Sequence, residues 1–331
     1  MDGRMKRKKW RLTMIGCAVL VVSVMLSVRM GSAGLTWRDF LGGLFRKDGY
    51  ERITFILYHL RIPRTAAAVL AGIGLSASGL AIQNITGNEL AGPNIIGINA
   101  GAGFFVIMGM YLFPEFTHIL PLLAFFGAFL ATVLILLIGG AFHQGKSTII
   151  LAGVAVTAFL NAGISLISRL DTDLLPLYND FAVGGLSACK LIDLIVPAIM
   201  IAISFLMLFL YSKDIDVLML GDGISESLGV KVRASKLAVI IASSASAGAV
   251  VSFAGLMGFV GLIVPHMARK LFGIRTRTSL LSCAVLGATV VCFADTLGRS
   301  VFPGTEIPVG IVMAFMGVPF FLYLIARRRA A

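Results

Sequence analysis

Gly255-Leu-Met-Gly-Phe-Val-Gly-Leu-Ile-Val-Pro-His-Met-Ala-Arg-Lys270 is the stretch on which the reading of this chain turns. It begins apolar and glycine-spaced, passes through Pro265 and His266, and ends on two cations. Alone, it fits a bent membrane helix arriving at a cytoplasmic surface. It fits equally a helix that carries an active-site histidine. The residues around it decide between the two.

Of 331 residues, 58% are hydrophobic and 13% charged, whereas a soluble domain is about a quarter charged. The apolar residues come in runs of about 20, the length that crosses a hydrocarbon core of about 30 Å. These runs are apolar on all sides and do not alternate, which speaks against a β-barrel. The chain reads as an all-α, polytopic membrane protein. The net charge of +12 then bears on orientation and not on nucleic acid. The four cysteines, Cys17, Cys189, Cys283 and Cys292, show no CxxC or metal spacing, and three lie in apolar runs. Neither a disulfide framework nor a metal site is expected.

Working outward from Gly255–Lys270, apolar runs fall at 12–28, 65–84, 93–113, 119–140, 148–168, 191–211, 237–254, 256–269, 279–297 and 307–326. About ten transmembrane helices in a single domain, 1–331, would place both termini on one side. Residues 1–11 carry Arg4, Lys6, Arg7, Lys8, Lys9 and Arg11, and the chain closes with Arg327, Arg328 and Arg329. Most of the 28 lysines and arginines lie on that same side in this arrangement, so both termini are expected to be cytoplasmic. Gly31 and Ala33 offer a small-x-small cleavage site, but the first run is long and more runs follow, so an uncleaved helix is expected. Residues 31–63 read as an external segment with a short amphipathic helix and an interfacial Trp37. Residues 212–236 are the longest cytoplasmic loop. Gly72 with Ser76, and Gly97 with Gly101, set small residues four apart, the pattern that lets helix backbones approach in lipid.

Gly140-Ala-Phe-His-Gln-Gly-Lys-Ser147 matches the phosphate-binding pattern letter for letter. A phosphate loop needs a strand before it and an acidic strand for magnesium elsewhere. The run 119–139 is far longer than a strand and no such acidic strand follows, so the match reads as chance. His266 has no ligand-spaced histidines or acidic partners, and reads as a helix-end residue beside a proline kink. Carboxylates inside the apolar runs are nearly absent, which argues against ion coupling in mid-membrane and against a catalytic site. Thr157, Asn161 and Ser165 recur every four residues and share one helix face. They either hydrogen-bond a neighbouring helix or line a pathway. Asp214–Val230 suggests two short helices, the second capped by Asp222 or Ser225. Leu218, Leu220, Ile224 and Leu228 would form an apolar face that a cytoplasmic partner covers.

Four blocks carry a resemblance across residues 60–300. They are Arg61-Ile-Pro-Arg64 with Ala71–Gln83; Leu151-Ala-Gly-Val-Ala-Val-Thr157; Leu220-Gly-Asp-Gly through Ser227-Leu-Gly-Val230; and Gly258-Phe-Val-Gly-Leu-Ile-Val-Pro-His266 with Ala294-Asp-Thr-Leu-Gly-Arg299. Together they resemble the permease family of bacterial ABC importers for iron–siderophores, haem and vitamin B12. The resemblance implies a ten-helix subunit of the bacterial cytoplasmic membrane, with no cofactor and no enzymatic activity of its own. It implies a second permease subunit, identical or paralogous, two separate cytoplasmic ATPase subunits and an extracytoplasmic substrate-binding protein. It implies that Gly221, Asp222, Glu226, Leu228 and Gly229 contact the ATPase. It implies that Arg61, Arg64 and Arg299 meet glutamates of the binding protein, as exposed forks suited to carboxylates. It favours a pathway role for Thr157, Asn161 and Ser165, with a ferric siderophore as solute. One departure stands out: where the family often has Asn-Pro-Leu-Ala, this chain has Asn88-Glu-Leu-Ala91, which leaves the shape of that turn open.

Overall fold

A computed structural model describes residues 2–31, 34–93, 97–138, 146–302 and 305–329. The phosphate-loop match at Gly140–Ser147 falls mostly outside the described residues. Among the described residues there is no strand. The chain opens with α1 (Asp2–Arg29) and a short α2 (Trp37–Leu44). Three joined parts follow: α3 (Glu51–Phe55), a wide π-helical turn (Ile56–Arg61) and α4 (Ile62–Thr86). Next come α5 (Ile98–Leu112), α6 (Leu120–Ile138), α7 (Lys146–Leu170), α8 (Leu174–Val183) and α9 (Ile195–Leu210). The last six are α10 (Ser212–Leu218), α11 (Asp222–Ser227), α12 (Val232–Ala254), α13 (Val260–Phe272), α14 (Thr276–Gly298) and α15 (Val309–Arg329).

Each expected apolar run carries a helix, and among the described residues seven helices are long and apolar enough to cross a membrane. Three features differ from expectation. The helix expected to begin at residue 65 already begins at Glu51, so much of the segment 31–63 is helical. Pro63 accounts for the wide turn there: it has no N–H for the preceding turn, and its ring needs room. A second difference is α8, which lies between the expected runs 148–168 and 191–211. A third concerns Gly255–Lys270, where the helix starts only at Val260 and the four residues 255–258 are non-helical.

The expected amphipathic helix is α2. Thr36 and Asp39 close a reciprocal capping box at its start, which satisfies two otherwise unpaired N–H groups. Trp37 is exposed, and the Arg29 guanidinium lies 4.0 Å from its ring centre.

The core is built around α4, which packs on α12, α13 and α14. Its inner face is small: Ala67, Ala68, Ala71, Gly72 and Ser76 are buried. In hydrocarbon there is no water to squeeze out between helices, so close packing must hold them together. At Gly72 the backbones of α4 and α14 touch, and a Cβ there would stand 2.2 Å from the carbonyl oxygen of Gly287. Beside this contact, Ser76 Oγ donates to the Cys283 carbonyl at 2.8 Å. The outward faces of α1, α6 and α9 expose Val22, Leu137 and Val196 among other large apolar side chains, as lipid-facing helices do.

Gly72→Leu should force α4 and α14 apart. The expected loss is about 1–3 kcal/mol or more, as for an overpacked core. Thermal unfolding in detergent should show a lowered midpoint, whereas Leu137→Ala on the exposed face of α6 should leave it nearly unchanged.

Candidate functional site

The loop of residues 212–236 folds as the two short helices expected. Ile215 and Leu218 of α10 enter the core. Leu218 is therefore not part of the exposed face assigned to it, because it is the residue that seats α10. Leu220, Ile224 and Leu228 are exposed, together with Met219. Two aspartates of α10 tie the loop to other helices. Asp214 Oδ2 accepts from Ser235 Oγ of α12 at 2.8 Å. Asp216 Oδ1 accepts from the backbone N–H of Thr276 at 2.8 Å, at the first residue of α14. A carboxylate there also meets the positive end of the helix dipole.

Neither Asp222 nor Ser225 caps α11. Its N-cap is Gly221 at φ 105°, a backbone conformation open to glycine and costly to other residues. Asp222 sits inside the helix and pairs with Lys236 at 2.7 Å. Ser225 is buried and its Oγ lies within hydrogen-bond reach of the carbonyls of Val217 and Gly221. Glu226, Leu228 and Gly229 lie exposed at the tip. A firm underside thus carries an apolar, partly acidic upper face.

Beside this loop, the end of α4 holds a polar cluster that sequence reasoning missed. Gln83, Asn84 and Thr276 are buried. Arg269 of α13 donates to Gln83 Oε1 and, at 3.3 Å, to Asn84 Oδ1. Asn84 Nδ2 donates to Thr276 Oγ1 at 2.9 Å. The turn after α4 forms without the proline: Gly87 adopts φ 61°, and Asn88 Oδ1 accepts from the N–H of Leu90 at 2.9 Å. His266 packs edge-on against Phe320, ring centres 5.8 Å apart.

Arg61, Arg64 and Arg299 come together at the opposite end of α4. They are not the exposed forks expected: they are 5%, 8% and 3% exposed. Arg64 Nε donates to Asp295 Oδ1 at 2.9 Å, and Arg64 also pairs with Glu306. Arg299 reaches Asp295 Oδ2 at 3.2 Å and bonds Ser27 of α1. Arg61 donates to the carbonyls of Val28 and Arg29. Burial follows from helix geometry: Asp295 and Arg299 lie one turn apart on α14, facing α4. With Glu306, the three arginines line a pocket of about 210 Å³.

On α7, Asn161 and Ser165 are exposed and Thr157 half-buried. Ser165 Oγ donates back to the Asn161 carbonyl at 3.0 Å. The stripe thus faces away from the core, along with Leu166. Among the described residues no group of three His, Cys, Asp or Glu side chains is arranged to hold a metal ion.

The sequence profile of the FecCD transport family matches residues 19–327. The Fe(3+)-citrate import system permease protein YfmE of Bacillus subtilis (strain 168) is 31% identical over 97% of this chain and 96% of its own. The Iron(3+)-hydroxamate import system permease protein FhuB of the same organism is 35% identical over 95% of this chain and 82% of its own. The Hemin transport system permease protein HmuU of Yersinia pestis is 31% identical over 94% of each chain. Among solved structures, an inward-facing metal-chelate type ABC transporter superposes with a TM-score of 0.85 at 24% identity, covering 96% of this chain and 99% of that one.

Asp295 pairs with two buried guanidinium groups. Asp295→Ala should destabilise the protein by about 3–5 kcal/mol, because it strands the buried Arg299 charge and leaves Arg64 with Glu306 alone. Asp295→Asn should cost less, since its amide oxygen still accepts. Unfolding midpoints in detergent check the order.

Proposed function

The chain belongs to the FecCD transport family, a multi-pass membrane permease family, and on that premise we propose that it is the membrane subunit of an ATP-driven importer of a ferric siderophore. It crosses the bacterial cell membrane ten times with both termini inside, and pairs with a second permease subunit. Two separate ATPase subunits hydrolyse ATP below it, and an extracytoplasmic binding protein delivers the chelate above it. The single observation that carries the coupling role is the loop surface. Leu220, Ile224 and Leu228 stand exposed on a support that Asp214 and Asp216 fasten to α12 and α14. An exposed apolar face on a rigid base is what a protein partner covers. Gly221, Asp222, Glu226, Leu228 and Gly229 are assigned to that ATPase contact.

Docking of the binding protein by Arg61, Arg64 and Arg299 takes a narrower form than free arginine forks. An acidic side chain would enter the pocket they line and share their charge with Glu306. Thr157, Asn161 and Ser165 face the second permease subunit across the pathway. Their hydroxyls and amide offer weak, exchangeable hydrogen bonds to a polar chelate, which suits passage better than retention. The iron(3+)-hydroxamate and iron(3+)-citrate relatives support a ferric chelate as solute, and the hemin relative makes haem the alternative.

Cells carrying the permease should accumulate radiolabelled ferric hydroxamate only when the cognate ATPase is present. Uptake that persists without the ATPase and follows an ion gradient would overturn the assignment; uptake of hemin alone would move the solute to haem. Leu228→Asp should abolish co-purification of the ATPase while leaving the permease in the membrane at its usual level.

A further inference from the structure

The loop that meets the ATPase is joined to the first turn of α13 by an unbroken chain of polar contacts. Asp216 of α10 holds the N–H of Thr276. Thr276 Oγ1 accepts from Asn84, and Asn84 Oδ1 accepts from Arg269. The same guanidinium donates to Gln83 Oε1. Gln83 Nε2 then donates to the carbonyl oxygen of Gly261 at 3.1 Å.

What these contacts reach is a short helix packed on α4 and α14. With 13 residues, α13 is about 20 Å long, too short for a hydrocarbon core of about 30 Å. It hangs from Gly255–Phe259, where Phe259 holds φ 65°, an unfavoured conformation for a residue with a side chain. That segment and the residues beside it are joined by backbone bonds. Leu256 donates to Phe181 of α8 at 3.0 Å, and Gly185 donates to Ala254 at 2.9 Å. Gly310 of α15 donates to Gly184 at 3.1 Å. Axial movement of α13 therefore pulls on the end of α8 and the start of α15.

We propose that Gln83 and Asn84 are positioning residues that convert movement of the α10–α11 loop into movement of α13, so that their amides set how much transport accompanies each hydrolysis. This rests on the importer reading above. An amide suits such a role because it holds a hydroxyl with its donor and a guanidinium with its acceptor. A contiguous network alone does not establish coupling; a bistable element that both ends bias is also needed. The proposal assigns that role to α13, which is short and hung on a strained residue.

The test uses the complete transporter, permease with ATPase, reconstituted in liposomes with its binding protein. ATP hydrolysis and uptake of radiolabelled ferric hydroxamate are measured together. Asn84→Ala and Gln83→Met should keep hydrolysis near the parental rate while uptake per ATP falls about tenfold. Asn84→Asp should restore much of the ratio, because a carboxylate accepts from both Arg269 and the Thr276 hydroxyl. If Asn84→Ala fails to assemble, Gln83→Met, which preserves volume, decides the matter. A parental ratio in Gln83→Met, or Asn84→Asp no better than an assembled Asn84→Ala, would overturn the proposal. Failure of the importer reading looks different: the unsubstituted transporter would show no ATP-dependent uptake at all.

Discussion

A buried peptide group needs a hydrogen-bond partner, and that constraint governs the break at Gly255–Phe259. Each buried backbone group left unpaired costs about 1–3 kcal/mol. A helix can stop there only if the protein supplies the missing partners. The carbonyl of Phe181 takes the Leu256 N–H, and the carbonyl of Ala254 takes the Gly185 N–H. Glycines make the approach possible. A Cβ on Gly255 would stand 2.3 Å from the Phe181 carbonyl oxygen. The short α8, the non-helical lead into α15 and the seat of α13 on α4 all follow from satisfying this one break.

The same constraint separates what was legible in the sequence from what was not. Long apolar runs announce themselves because each must satisfy its own backbone, so helix existence is a local property. The short amphipathic helix α2 was nearly as local, although its Thr36–Asp39 cap went unread. The loop's two helices followed from its turn glycines and apolar spacing. The break at residues 255–258 was hidden because three-residue glycine spacing reads equally well as a packing helix, and its partners lie in α8. The buried arginines were misjudged for a similar reason. Arg64 finds Asp295 across 231 positions and Glu306 across 242, and no local pattern records a pairing of that range. The role of Arg269 was equally opaque: its partners Gln83 and Asn84 are ordinary amides at the end of another helix. Within the loop, the cap assignment failed because Gly221 could take a conformation that Asp222 and Ser225 could not take cheaply.

The two polar clusters set how the core helices are tied to one another. α4 and α14 run antiparallel and are fastened at both ends. At one end, Arg64 holds Asp295; at the other, Asn84 holds Thr276; between them the backbones touch at Gly72 and Gly287. Two ties and a glycine seam hold this pair together along its length. Asp216 attaches α10 to the end of that pair. α13 is held differently. Arg269 anchors its far end and Gln83 its first turn, but the segment before it is extended and turns on Phe259. Buried charge at one end of the core therefore fixes a frame. Amides at the other end connect that frame to the short α13, through groups that can exchange partners without exposing a charge to lipid.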